Sequence, residues 1–165
     1  MHNRGFTIIE LIIVAFIIII LLAILVTSYE LGGYELELGQ SAQQLVGDLQ
    51  WTRQKAVLAG EKLYGIHIEA LTSTYILFED KDSNYQYNNP PDILLERIRL
   101  KENILIKEIY IEGSASDDID IVFEPPEPLM KINIDKSHAL ITLWSQKTNA
   151  TTGVYILNTG LVEIR

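Results

Sequence analysis

The sequence predicts an α+β protein, one long N-terminal helix followed by a small antiparallel β-rich head built from two sheets. Three observations carry that expectation. Residues 11–26 (LIIVAFIIIILLAILV) are sixteen apolar positions in a row, a density that recurs nowhere else in the 165-residue chain. From Leu38 to Ala56 apolar residues then recur at steps of three, four and seven, the spacing of one helix face. Beyond Gly60 the pattern changes to period two, punctuated by turn residues, as short strands require.

The first five residues, Met-His-Asn-Arg-Gly, are polar and carry one base, Arg4. Residues 6–26, taken as one helix, rise about 32 Å, enough to cross a hydrocarbon core of about 30 Å once. Arg4 and the α-amino group precede this segment, whereas the next base after it is Arg53. The positive-inside rule therefore places the N-terminus in the cytoplasm and the head outside. Glu10 is the discordant residue. Its position leaves two readings open: a polar flank before a span that starts at Leu11, or an acid within the apolar segment that is answered by a partner.

The pattern Gly5-Phe6-Thr7-Ile8-Ile9-Glu10 ahead of an apolar helix resembles the class III signal of type IV pilins and type II secretion pseudopilins. The resemblance implies that prepilin peptidase cuts between Gly5 and Phe6 and methylates Phe6. It also implies that Glu10 sets register by pairing with the Phe6 ammonium of a neighbouring subunit. A glycine suits such a cut because, lacking a side chain, it lets an extended backbone enter a protease cleft. The expected organisation is a leader at residues 1–5, a transmembrane helix at 6–28, its amphipathic continuation at 29–60 and an extracytoplasmic head at 61–165. An alternative site for ordinary signal peptidase, Val26-Thr27-Ser28, would instead release a soluble protein, such as a secreted enzyme, from Tyr29.

Gly32-Gly33 is expected to loosen or kink the helix, and Gly60 to cap it. Strands are expected at 62–69, 74–79, 94–100, 104–111, 119–124, 130–134, 139–144, 154–157 and 161–164. The turn signals between them include Asn88-Asn89-Pro90-Pro91, Glu124-Pro125-Pro126 and Asn158-Thr159-Gly160. The helix end Thr52-Arg53-Gln54-Lys55-Ala56-Val57-Leu58-Ala59-Gly60, the stretch Phe78 to Asn84, Ile121-Val122-Phe123-Glu124-Pro125 and the closing residues 158–164 resemble the GspH/FimT-type minor pseudopilins. That resemblance implies a bacterial inner-membrane protein that passes into a pilus or pseudopilus. Its implied partners are prepilin peptidase, other pilin subunits and an inner-membrane assembly platform.

Two departures matter. Many relatives carry a proline midway along the span, whereas here none precedes Pro90. DNA-binding relatives end in a glycine-arginine-any-arginine motif, where this chain has Gly160-Leu161-Val162-Glu163. The chain also has 22 acids against 13 bases and a net charge of −9, which repels phosphates on average. DNA is therefore not an expected partner, and competence DNA uptake stands as the alternative role.

Within the head, Asp80-Lys81-Asp82-Ser83-Asn84 resembles the start of a calcium loop, but Tyr85 stands where glycine is needed and Pro91 where a bidentate glutamate belongs. A polar turn is the expectation, and no metal site or cofactor is assigned. Asp117-Asp118 and Asp120 form a second acidic cluster that would matter only if the fold brought it to the first. His67 and His138 read as surface or edge residues of strands, while His2 belongs to the leader. Trp51 and Trp144 read as packing residues. Ser114 and Ser116 lack a nucleophile context, and with no cysteine neither thiol catalysis nor disulfides arise.

Overall fold

The computed structural model describes the backbone of residues 7–125 and 129–165, and their side chains except at 26–32 and 129. One helix, α1 (Ile8–Ala59), is followed by ten strands: β1 (Leu63–Glu69), β2 (Thr74–Asp80), β3 (Ile93–Arg99), β4 (Ile104–Ile111), β5 (Ser114–Ser116), β6 (Asp118–Glu124), β7 (Leu129–Ile132), β8 (His138–Ser145), β9 (Thr151–Leu157) and β10 (Val162–Ile164). They form two antiparallel five-stranded sheets, ordered β3-β2-β1-β6-β7 and β10-β9-β8-β4-β5.

The helix runs through Gly32-Gly33, so the pair, although each glycine costs about 1 kcal/mol relative to alanine, does not end it. Gly60 ends the helix as expected, at φ 76°, with its N–H donating to the Ala56 carbonyl at 3.2 Å.

Among the described residues of α1, the buried ones lie in its second half. Leu38, Ala42, Leu45, Leu49 and Ala56 are buried in one core with Tyr64, Ile66 and Ile68 of β1, Ile119, Ile121 and Phe123 of β6, and Ala139, Ile141 and Leu143 of β8. The two alanines let the helix approach the sheets closely. Ser41 and Thr52 are buried on the same face and donate to the carbonyls of Glu37 and Asp48, at 2.9 and 2.7 Å. Their hydroxyls are thus satisfied inside the helix. Tyr75 on β2, almost fully buried, donates its hydroxyl to Asp48 and ties helix to sheet. Burial pushes the Tyr75 phenol well above its ordinary range, and the adjacent Asp48 carboxylate adds to the effect.

The first sheet is covered on both faces. Away from the helix, Leu63, Ile76, Phe78 and Val122 form a second small core under Tyr85 and Tyr87, which belong to the loop 81–92. Gly65 lies where the Phe78 ring crosses the sheet. A Cβ there would stand 2.6 Å from that ring and 2.9 Å from Val122.

Strand positions follow the sequence with three corrections. A tenth strand, β5, pairs with the end of β4. β9 begins at Thr151 rather than Val154, because its first residues pair with Trp144 and Leu143. β7 stops at Ile132, since Asn133 and Ile134 turn the chain at φ 39° and 77°. Of the Glu124-Pro125-Pro126 turn signal, Pro126 lies outside the described residues.

Candidate functional site

The N-terminal segment is built around the start of α1. Thr7 is the N-cap residue, at φ −79° and ψ 150°. Its Oγ1 accepts from the Glu10 backbone N–H at 3.3 Å, while the Glu10 carboxylate accepts from the Thr7 N–H at 2.8 Å and from its hydroxyl at 2.9 Å. This is a reciprocal capping box, in which two helix-end donors that would otherwise lack partners are satisfied at once. Sequence reading placed Glu10 but passed over Thr7, although threonine followed three residues later by glutamate is the signature of such a box. The expected processing residues Gly5 and Phe6, with His2, lie outside the described residues.

Both carboxylate bonds from Thr7 land on Oε2, so the box engages one edge of the Glu10 carboxylate. From Ile8 to Leu25 the helix has a mean hydropathy of 3.5, and no part of that stretch is buried by the rest of the molecule. Large side chains stand bare along it, from Ile8 at 82% exposed to Ile20 at 45%. A contiguous apolar surface of this extent needs lipid or another chain to cover it.

Farther along α1 the outward face differs in kind. Gln40, Gln43, Gly47, Gln50, Gln54 and Val57 are exposed, spaced three and four residues apart in turn. This stripe carries no charge, in a protein whose surface is otherwise rich in acids. Trp51, expected as a packing residue, is 47% exposed beside the stripe, with the Lys55 ammonium 4.7 Å from its ring. It sits one position round the helix from the buried face, so its indole covers the surface instead of entering the core. Trp144 is half-buried on β8.

In the head, the calcium-like stretch proves to be a stapled loop. The Asp80 carboxylate accepts from the N–H groups of Ser83 (2.7 Å) and Tyr85 (2.9 Å), and Asp92 from those of Lys81 (2.9 Å) and Asn88 (2.7 Å). Asp82 meets Asn84 within its own turn. Burial raises the Asp80 carboxyl above its ordinary value against these N–H bonds, helped by the charge of Asp92. Asp80 and Asp92 thus organise the loop that holds Tyr85 and Tyr87 over the sheet.

The second acidic cluster does not join the first. Asp80 pairs with Leu63, whereas Asp120 pairs with His67, four residues along β1. His67 was expected at a surface or edge; it lies on the central strand and is only 9% exposed. Its Nδ1 is 2.8 Å from Asp120 Oδ1, its Nε2 is 3.3 Å from Glu69 Oε1, and the Tyr87 ring stands 5.2 Å away. Burial works to lower the His67 pKa, but the hydrogen bond and charge of Asp120, joined by Glu69, outweigh it and hold the imidazolium above its ordinary value. His138, at the start of β8, contacts Ser137 at 2.9 Å. Ser114 and Ser116 form the edge of β5, where Ser116 donates to the Asp118 carbonyl.

At the closing turn, Gly160 adopts φ 89° beneath the Arg53 guanidinium, where a Cβ would stand 2.9 Å from Nη1. The positive φ of the turn favours glycine here, independently of any arginine motif.

Neither the curated proteins nor the solved structures yield a match to this chain. Residues 1–26 match the family model described as the prokaryotic N-terminal methylation motif. That match supports a type IV pilin-like protein, a substrate of prepilin peptidase with a structural rather than an enzymatic part to play.

Proposed function

We propose that the chain is a filament subunit, a GspH/FimT-type minor pseudopilin of a type II secretion pseudopilus or the equivalent minor subunit of a type IV pilus. The precursor inserts in the inner membrane with its N-terminus inside and its head outside, carried by one span over residues 6–28. Prepilin peptidase removes residues 1–5 and methylates Phe6. The helix then leaves the lipid on an inner-membrane assembly platform and packs among the helices of other pilin subunits.

The observation that carries this reading is the bare apolar segment from Ile8 to Leu25, continuous with a helix whose other half is locked into the head. Such a rod is suited first to lipid and then to a bundle of like rods, where van der Waals packing and polar pairing replace lipid contacts. The uncharged glutamine stripe supports the same reading, since it prolongs an outward face that opposes no charge to a neighbouring helix. Glu10 fits the assembly role because its box engages one carboxylate edge, leaving the charge to be answered by the Phe6 ammonium of the adjoining subunit.

Glu10→Gln separates charge from capping, because the amide oxygen can still accept from Thr7. The expected outcome is a precursor that inserts and is cut as usual, with at least a tenfold loss of material in sheared filaments or pseudopili, read by immunoblot. Undiminished incorporation of this variant would remove the charge pair from the mechanism.

A further inference from the structure

The outer face of the first sheet brings together four groups that the filament role does not use. In the antiparallel pair of β1 and β6, His67 stands opposite Asp120 and Glu69 opposite Asp118. Their neighbours Ile66, Ile68, Ile119 and Ile121 point into the core, so by alternation all four project from the other face. They occupy the corners of one cross-strand block, with opposed side chains about 5 Å apart at Cβ. Donor atoms of His67, Asp118 and Asp120 lie within 4.8 Å of one another. His67 and Asp120 form the floor, at 9% and 7% exposed, while Glu69 and Asp118 are exposed at the rim.

The charge of this block is unbalanced. Among the described residues, the only cationic partner of its three carboxylates is His67 itself. Two acids directly opposed across a pair of strands repel each other, and no lysine or arginine relieves them. A divalent cation would neutralise the excess.

The geometry points to a divalent transition-metal site of the zinc class at His67, Asp118 and Asp120, with Glu69, 3.3 Å from the opposite ring nitrogen of His67, placed to orient the imidazole. The imidazole decides the class. Calcium and magnesium take oxygen ligands and gain nothing from a ring nitrogen, whereas zinc binds histidine nitrogen and carboxylate oxygen at about 2.0–2.2 Å. Tetrahedral ligation at those lengths separates nitrogen from oxygen by about 3.4 Å, so the His67–Asp120 contact of 2.8 Å needs only a small side-chain rotation. Bound there, the ion would clasp β1 to β6 in the middle of the sheet. This inference does not depend on the filament reading.

The test uses the full chain in detergent, carrying His2→Ala to remove the leader imidazole, and titrates Zn2+ by calorimetry with excess Mg2+ present. The expected result is saturable binding of one Zn2+ per chain, weakened about tenfold or more in His67→Gln and in Asp118→Asn and unchanged in Asp82→Asn. Asp118 is exposed, so its variant keeps the measurement decisive if His67→Gln fails to fold. Co2+ as a probe should give the intense visible bands of tetrahedral ligation, lost in His67→Gln. No saturable Zn2+ binding, or equal affinity in wild type and the Asp118→Asn variant, would overturn the site and leave His67 as a salt-bridged histidine alone.

Discussion

At the scale of single residues, the side chains that matter are those whose charge or absence of bulk the fold cannot replace. Glu79 on β2 is buried at 6% exposure, between the ammonium groups of Lys81 at 2.6 Å and Lys62 at 3.1 Å. The hydrogen bond from Lys81, with Lys62 adding charge, outweighs burial and holds its carboxyl below the usual range. A depressed carboxyl contributes stability that is fully present above its unfolded pKa of about 4.3 and is lost as pH falls through the lower, folded value. Both lysines are about half exposed, so screening limits the contribution to about 1 kcal/mol. Glu79→Gln should therefore lower stability near neutral pH by that amount and flatten the acid limb of the profile, as followed by urea unfolding from pH 7 to 3. Gly65 shows what sequence alone conceals. A glycine within a strand flags a close approach, but only the fold identifies the Phe78 ring and Val122 as the atoms that approach. His67 was misread for the same reason, since nothing within β1 reveals that Asp120, fifty-three residues later, stands opposite it.

At the scale of elements, periodicity made most of the architecture legible. The spacing of Leu38, Ala42, Leu45, Leu49 and Ala56 marks the packed face of α1, and all five are buried. β4 carries its irregularity openly: Ile104 and Ile106 are followed by Ile109 and Ile111, and all four are buried. The change of parity is the β-bulge, where pairing passes from Ile106 to Glu108 and leaves Lys107 as the extra residue. β5 escaped notice because its three small residues, Ser114, Ala115 and Ser116, are too short a run to read as a strand. The glycine pair in α1 does not end the helix, a weak local propensity against the long segments on either side. The outer stripe of α1 yields a prediction at this scale. Because its residues are exposed, Gln43→Glu with Gln50→Glu should leave the thermal midpoint of the head within about 2 °C of wild type. Acids on that face would lie against neighbouring helices in the assembly, so recovery in sheared filaments should fall severalfold.

At the scale of the whole molecule, one helix performs two physically distinct tasks. Its second half is a structural member of the head, fixed by the shared core and by the Tyr75–Asp48 bond. Its segment from Ile8 to Leu25 is uncovered and finds no burial within its own chain. The division was visible in composition, because an unbroken apolar run cannot form one face of an amphipathic helix and must be apolar all round. The capping box at Thr7 and Glu10 closes the exposed end with groups from the chain itself, and the methylation motif covers the residues just before and along the bare rod. In the proposed function, cleavage after Gly5 turns this rod into an assembly element with a new N-terminus. Intact-mass and N-terminal peptide spectrometry of the protein recovered from cells tests it most directly. The account predicts a chain beginning at Phe6 and heavier by one methyl group; a chain that still begins at Met1, or begins at Tyr29 with the rod removed, would contradict it.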